Sequence, residues 1–138
     1  MRDRMLQDAG EILGRILARL PAAGVRSVDE RVLLGAKLLE KGDLAGFGAL
    51  MFDSHESSRS WFENSCAELD TIVDAARAIP EVLGARLSGG GFGGSCCLLV
   101  KPDAADRIAA SITQAYRTIY GDEPECRLVK PSDGAHLV

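Results

Sequence analysis

The sequence has no basic cluster and no apolar run that approaches the length of a membrane span. Its 20 acidic residues outnumber 16 basic ones and give a formal net charge of −4, which disfavours binding to nucleic acid or to an anionic membrane. The first residues, MRDRMLQDAGEIL, lack the unbroken apolar core and the small-residue cleavage site of a signal peptide. We therefore expect a cytoplasmic protein with neither a nucleic-acid nor a membrane partner.

Residues suited to metal binding are few and poorly spaced. The four cysteines, Cys66, Cys96, Cys97 and Cys126, form no CxxC pair. Cys96 and Cys97 are neighbours in a predicted strand, so their side chains point to opposite faces and do not easily share a metal. We interpret the cysteines as reduced thiols of a cytosolic protein and predict no metal site.

Candidates for acid–base catalysis are equally scarce. Only two histidines occur, His55 and His136. For His55, local hydrogen bonding is favoured over a role as catalytic base, because no nucleophile is paired with it in the sequence. Two interpretations of Arg59 stay open, a contact to a phosphate or partner domain and an ordinary surface salt bridge.

Four amphipathic patterns predict helices in the first part of the chain. The chain has 138 residues, of which 46% are apolar, and this fits one domain with one core over residues 1–138. Capping boxes are predicted at Ser27 with Glu30 and at Ser65 with Glu68. The patterns are those of residues 4–20, of the segment from Ser27 to Lys41, of that from Asp43 to Met51 and of that from Ser65 to Ile79.

The pattern then changes to strands. Residues 84–88 and 95–101 form a predicted hairpin, a further helix runs from Pro102 to Gly121, and Glu125 to Lys130 alternates like a strand. We expect the last residues, AHLV, to extend a strand or to pair with one. Helices followed by hairpin, helix and strand predict an α+β domain, with a small, mostly antiparallel sheet and helices packed on one face.

The hairpin is closed by GGGFGG, residues 89–94. A dinucleotide fingerprint requires a helix directly after such a loop, and a Walker loop requires Gly-Lys-Ser/Thr at its end; a strand beginning Ser95-Cys96 satisfies neither. A plain turn needs only one or two glycines. We therefore favour a loop built for close approach of an anion, a large ligand or a second domain, with Phe92 as a wedge into a neighbouring surface or as a hydrophobic anchor.

The stretch GARLSGGGFGGSCCLLV resembles the third signature motif of the GHMP small-molecule kinases, in the form typical of galactokinases. GDLAGFGALMFDSHESSRSWFENSCAELD resembles a second galactokinase region, and LVKPSDGA is similar to the closing stretch of the family. The similarity covers about residue 29 to the end, residues 29–138. It implies a ferredoxin-like C-terminal domain of a two-domain enzyme.

Such enzymes transfer the γ-phosphoryl group of ATP to a sugar hydroxyl with Mg²⁺, and the resemblance implies these cofactors for the full-length enzyme only. The first two motifs of the family, and with them its catalytic residues, have no counterpart here. The expected partners are therefore the missing N-terminal domain, ATP and a sugar. The resemblance makes Gly89, Gly90, Gly91, Phe92, Gly93 and Gly94 the phosphate-facing loop, and Arg86, Ser88, His55 and Arg59 candidates for lining the cleft.

Several positions depart from the family pattern, and they leave the sugar open. Ser60-Trp61 replaces a frequent Asp-Asp, Phe62 replaces Tyr, and Asn64 replaces an apolar residue. We expect the chain to serve a galactokinase-like kinase and to be inactive alone. The alternative is a non-catalytic regulatory or binding module of the same fold. As an isolated half of a cleft, the chain should expose an apolar patch, and we expect self-association into a homo-oligomer.

Overall fold

Four helices and one β-hairpin form the part of the chain that the computed structural model describes, residues 27–131. A short π-helical turn, Ser58–Phe62, follows the second helix, and a 3₁₀ turn, Pro102–Ala104, precedes the last. The predicted helix 4–20 and the segment AHLV lie outside the described residues. The main elements are α1 (Val28–Glu40), α2 (Leu44–Ser57), α3 (Ala67–Arg77), β1 (Val82–Ser88), β2 (Ser95–Val100) and α4 (Ala105–Tyr120).

Local sequence signals start and stop most of these helices. The predicted capping box of α1 is confirmed: Ser27 Oγ accepts the Glu30 N–H at 3.2 Å, and Glu30 Oε2 accepts the Ser27 N–H at 2.8 Å. Asp43 caps α2 by accepting the Gly46 N–H at 2.8 Å. Gly121 ends α4 in the left-handed conformation that glycine favours, with φ of 74°.

The second predicted capping box is wrong. Helix α3 begins at Ala67 with Cys66 as its N-cap, and no side chain caps it. The hydroxyl of Ser65 instead donates to Asp70 Oδ1 at 2.6 Å. A carboxylate acceptor competes here with the backbone donors of the helix, and the charge-assisted hydrogen bond is the stronger one.

The core lies between one face of the hairpin and helices α3 and α4. The strands pair antiparallel, with Leu87 opposite Cys96 and Ser88 opposite Ser95. Buried apolar side chains of α3, β1, the 3₁₀ turn and α4 form one cluster, and alternate residues of β2 pack against it. The cluster consists of Val73, Ala76, Val82, Ala85, Ala104, Ile108 and Ile112. The predicted α+β domain with a small antiparallel sheet and packed helices is confirmed.

Helix α2 approaches β1 closely enough that two glycines touch. A Cβ atom at Gly48 would lie 1.9 Å from the Leu83 carbonyl oxygen, and one at Gly84 would lie 2.5 Å from the Gly48 Cα. Any side chain at either position would overlap backbone. This contact places the C-terminal end of α2 beside the end of β1, where the glycine loop begins.

The predicted strand from Glu125 to Lys130 is wrong, because residues 122–131 have no regular structure. Leu128 and Val129 are exposed there. Alternating residue types favour a strand only where a neighbouring edge is available to pair with it, and no further strand joins the hairpin within residues 27–131. No helix in the same part of the chain is both long and apolar enough to cross a membrane.

Candidate functional site

The glycine loop has an unusual backbone for a hairpin connection. Five of its six residues have positive φ: Gly89 at 76°, Gly91 at 87°, Phe92 at 57°, Gly93 at 115° and Gly94 at 89°. A Cβ atom at Gly89, Gly90, Gly93 or Gly94 would meet nothing within 4 Å. The loop therefore presents bare backbone to open space, which suits close approach by an anion or another domain.

Phe92 stands out from this loop. Its side chain is 80% exposed, so the ring is not anchored in the core of its own domain. The residue also adopts the left-handed conformation that is uncommon for a large side chain. Its backbone N–H donates to the Asn64 carbonyl oxygen at 2.7 Å, which holds it there.

One flank of the loop is closed by the turn after the π-helical segment. Asn64 Nδ2 donates to the Gly90 carbonyl oxygen at 3.1 Å. A Cβ atom at Gly91 would lie 1.9 Å from the Asn64 carbonyl oxygen, so this position accepts only glycine. The loop is thus held on one side and open on the other.

His55 lies beneath the end of β1 and is fully buried. Its Nδ1 accepts the backbone N–H of Leu87 at 3.2 Å, and Nε2 lies 3.1 Å from Asp70 Oδ1. Because Nδ1 is an acceptor, the proton sits on Nε2, which donates to Asp70, and the ring is neutral. Burial lowers the pKa of His55, although the Asp70 carboxylate opposes this effect.

Arg59 binds the same carboxylate from the other side. Its Nε lies 3.2 Å from Asp70 Oδ2, and its Nη2 donates to Asp74 Oδ1 at 2.9 Å. Burial acts to lower the pKa of Arg59, but hydrogen bonds to Asp74 and Asp70 raise it above its ordinary value. We call His55, Arg59, Ser65 and Asp70 the Asp70 cluster. It joins α2, the π-helical turn and α3 to the end of β1.

The sequence-predicted cleft residues therefore divide into two groups. His55 has no surface exposed, and Arg59 is engaged in ion pairs within the domain. Arg86 is exposed on β1 and forms no ion pair with any residue in the described range 27–131. Ser88 lies half-buried at the base of the loop, opposite Ser95. The structure thus brings Arg86 and Ser88, but not His55, to the surface.

The sequence alone does not predict that an arginine of α1 is buried. Arg31 of α1 is only 8% exposed and donates from Nη1 to Ser57 Oγ at 2.9 Å. Burial lowers the pKa of Arg31; Asp53 opposes this shift and the nearby Arg86 adds to it. The guanidinium links the start of α1 to the end of α2.

The cysteines are all free thiols. Cys96 is half-buried, with its Sγ 3.8 Å from the Leu69 carbonyl oxygen, and burial raises the pKa of its thiol to about 12. Such a thiol is a poor nucleophile at neutral pH. Within residues 27–131, no three His, Cys, Asp or Glu side chains are grouped so that they would hold a metal ion.

These observations define the class of structure: a small α+β domain with a bare glycine loop at the tip of its hairpin and a partly buried polar cluster at the end of β1. The sequence profile described as GHMP kinases C terminal matches residues 36–118. The chain therefore belongs to the GHMP kinase family, in which it corresponds to the C-terminal domain.

Galactokinases are among the proteins that are similar to this chain. The galactokinase of Thermotoga maritima is 36% identical over 137 residues, covering 99% of this chain and 39% of the relative. Human galactokinase is 40% identical over 108 residues, covering 78% of this chain and 26% of the relative. The chain thus spans about two fifths, or less, of the length of these relatives.

Two solved structures of kinases are similar to this chain. Lactococcus lactis galactokinase complexed with galactose matches with a TM-score of 0.66 and 34% identity, over 68% of this chain and 24% of that one. L. major mevalonate kinase in complex with R-mevalonate matches with a TM-score of 0.55 and 26% identity, over 80% and 34%. Both similarities are to part of a larger chain.

Sequence reasoning assigns Asp70 only to the first turn of a helix, where acids are favoured. Its role as the centre of a cluster depends on contacts between segments that no local spacing reveals. For Asn64 a signal exists: its polar side chain departs from the pattern of the family that this stretch was found to resemble. That departure marks the position where the structure adds a hydrogen bond to the glycine loop.

Proposed function

We propose that this chain is the C-terminal domain of a galactokinase-like enzyme, which transfers the γ-phosphoryl group of ATP to a sugar hydroxyl. The glycine loop would form one wall of the phosphate site. The observation that carries this proposal is the run of positive φ angles in an exposed loop, within a domain whose relatives are galactokinases. Backbone N–H groups of such a loop can approach phosphate oxygens without side chains in the way.

The contribution of this chain to the reaction is positioning. Phosphoryl transfer depends mainly on alignment and on charge stabilisation, so a fixed backbone wall limits where the phosphates lie and displaces water from one side. Asn64 and the Asp70 cluster hold that wall from below. No residue of this chain takes the role of catalytic base, and that role falls to the N-terminal domain.

The described residues are better suited to contact the phosphates of ATP than to bind a metal ion directly. The bare backbone suits an anion, whereas no metal-ligand cluster occurs in the described part of the chain. Mg²⁺ in phosphoryl-transfer sites is usually held by the nucleotide phosphates and one or two carboxylates. We assign no Mg²⁺ ligand to residues 27–131.

A chimera tests the proposal. The chain replaces the matching 137-residue region of Thermotoga maritima galactokinase, and galactose-dependent ADP release is measured in a coupled assay. We expect activity from the chimera and none from the isolated chain or from the galactokinase truncated before this region. A folded but inactive chimera, together with tight binding of another ligand by the isolated chain in calorimetry, would favour the non-catalytic binding module instead.

A further inference from the structure

We infer that Asn64 is a positioning residue that sets the conformation of the glycine loop through its side-chain amide. The inference about loop conformation stands by itself. Its kinetic consequence, an effect on ATP binding, rests on the proposed function.

Three contacts join Asn64 to consecutive residues of the loop. The side-chain Nδ2 donates to the Gly90 carbonyl oxygen at 3.1 Å. The backbone carbonyl oxygen fills the space that a Gly91 side chain would need, and accepts the Phe92 N–H at 2.7 Å. One residue therefore contacts the loop at three successive positions, which include the residue whose large side chain adopts positive φ.

The turn that carries Asn64 is itself fixed. Glu63 adopts the left-handed conformation with φ of 52°, and the Asn64 N–H donates to the Ser58 carbonyl oxygen at 3.1 Å. The next residue, Ser65, donates to Asp70 Oδ1 at 2.6 Å. The amide of Asn64 thus projects from a support that is bonded to both the π-helical turn and α3, so it can define a position for the loop.

The chemistry of this contact requires a donor. Gly90 offers a carbonyl oxygen, which an apolar side chain at position 64 could not bond. The amide carries a cost, because Asn64 Oδ1 is buried without a hydrogen-bond partner. A residue selected only for global stability at this position would avoid that cost, and so the amide serves the loop.

The variants Asn64→Leu and Asn64→Asp separate the two effects. Leu keeps the shape of Asn, removes the donor and also removes the unpartnered Oδ1, so the free energy of unfolding should stay level or rise. Asp also keeps the shape, but it places a carboxylate oxygen opposite the Gly90 carbonyl oxygen, so that two acceptors face each other. If Asn64 were only a structural residue, any change in the loop of these variants would be accompanied by a fall in the free energy of unfolding.

Amide hydrogen exchange in the isolated chain measures the loop directly. We expect exchange at Phe92, whose N–H donates to the Asn64 carbonyl oxygen, to become about tenfold faster in Asn64→Leu and faster still in Asn64→Asp. Asn64 is the only asparagine in the chain, so its labelled side-chain amide gives one identifiable pair of signals. The matched control is Gln114→Ala, which removes an exposed amide from α4 and should leave loop exchange unchanged. Unchanged exchange in Asn64→Leu overturns the inference.

The same variants in the chimera test the consequence for nucleotide. We expect Asn64→Leu to raise the KM for ATP about fivefold while the KM for galactose stays within about twofold. Gln114→Ala should change neither. Faster exchange with an unchanged KM for ATP would uphold Asn64 as the positioning residue of the loop, and would count against the phosphate-facing role of the loop.

Discussion

The buried imidazole of His55 shows how single residues hold the end of β1. Its two ring nitrogens satisfy the Leu87 N–H and bind Asp70, so a strand, a helix and a carboxylate are joined through one side chain. Protonation at Nδ1 would place an N–H donor of the imidazole opposite the N–H donor of Leu87, and the hydrogen bond between them would be lost. The hydrogen bond that fixes β1 just before the glycine loop therefore exists only while His55 is neutral.

This geometry predicts a pH-dependent stability. Because the pKa of His55 is lowered in the folded state, the unfolded chain binds more protons below about pH 6.5, and the free energy of unfolding should fall as pH decreases from 7 towards 5. We expect His55→Gln to cost about 2 kcal/mol at pH 7.5 and progressively less at lower pH. Urea unfolding across this range measures both proteins.

The two proteins differ only at residue 55. Asp70, Arg59 and Asp74, which act electrostatically on the imidazole, and the second histidine, His136, are present in both. A difference between the two proteins that stays constant from pH 7.5 to pH 5 would contradict a neutral, buried His55.

The contact between α2 and β1 sets the position of the site at the scale of elements. Two facing glycines allow the helix backbone to touch the strand backbone, and the same helix carries His55 to the strand end. The glycines are therefore needed for close approach, although glycine inside a helix normally costs stability relative to alanine.

Replacing one of these glycines should be strongly destabilising. In Gly48→Ala, the new Cβ would lie 1.9 Å from the Leu83 carbonyl oxygen, so helix and strand must separate, at a cost of about 3 kcal/mol or more. Gly35→Ala is the matched control, since its Cβ would meet the movable Phe47 ring at 3.2 Å. Thermal unfolding of both variants measures the difference, and equal melting temperatures would argue against the backbone contact.

Local patterns predict the helices and the hairpin, because helical periodicity, the caps at Ser27 and Asp43 and the glycines of the turn act within a few residues. The strand predicted from Glu125 fails for the opposite reason: alternation along one segment carries no information on whether a neighbouring edge exists. The resemblance to the GHMP kinases identifies the glycine loop as a candidate for the phosphate site. It does not find that His55 is buried or that Ser65 donates to Asp70, because both depend on how separate elements meet.

At the scale of the whole molecule, apolar surface remains exposed on α1 and at the start of α2. The exposed residues are Val28, Val32, Leu33, Leu39 and Leu44. Exposed apolar patches mark interaction sites in soluble proteins. A domain that spans 39% of a related enzyme has surfaces that the rest of such an enzyme would contact.

We predict that the isolated chain self-associates through this surface. Light scattering should show a molecular mass that rises with concentration, and the double variant Val32→Glu/Leu33→Glu should lower that mass towards 14.7 kDa, the mass of one chain. Ile119→Glu changes an equally exposed residue on α4 and should have little effect. A single-chain mass for the unmodified protein at its highest soluble concentration would contradict the prediction.

The central claim is that the glycine loop faces the phosphates of ATP, and paired glycine variants in the chimera test it most directly. Gly89→Ala and Gly121→Ala impose similar strain, because the two positions have φ of 76° and 74° and open space for a Cβ. Each should cost about 1 kcal/mol of stability. We predict that Gly89→Ala lowers kcat/KM for ATP about tenfold or more, and that Gly121→Ala leaves it within about twofold. Equal kcat/KM values in the two variants would contradict the claim.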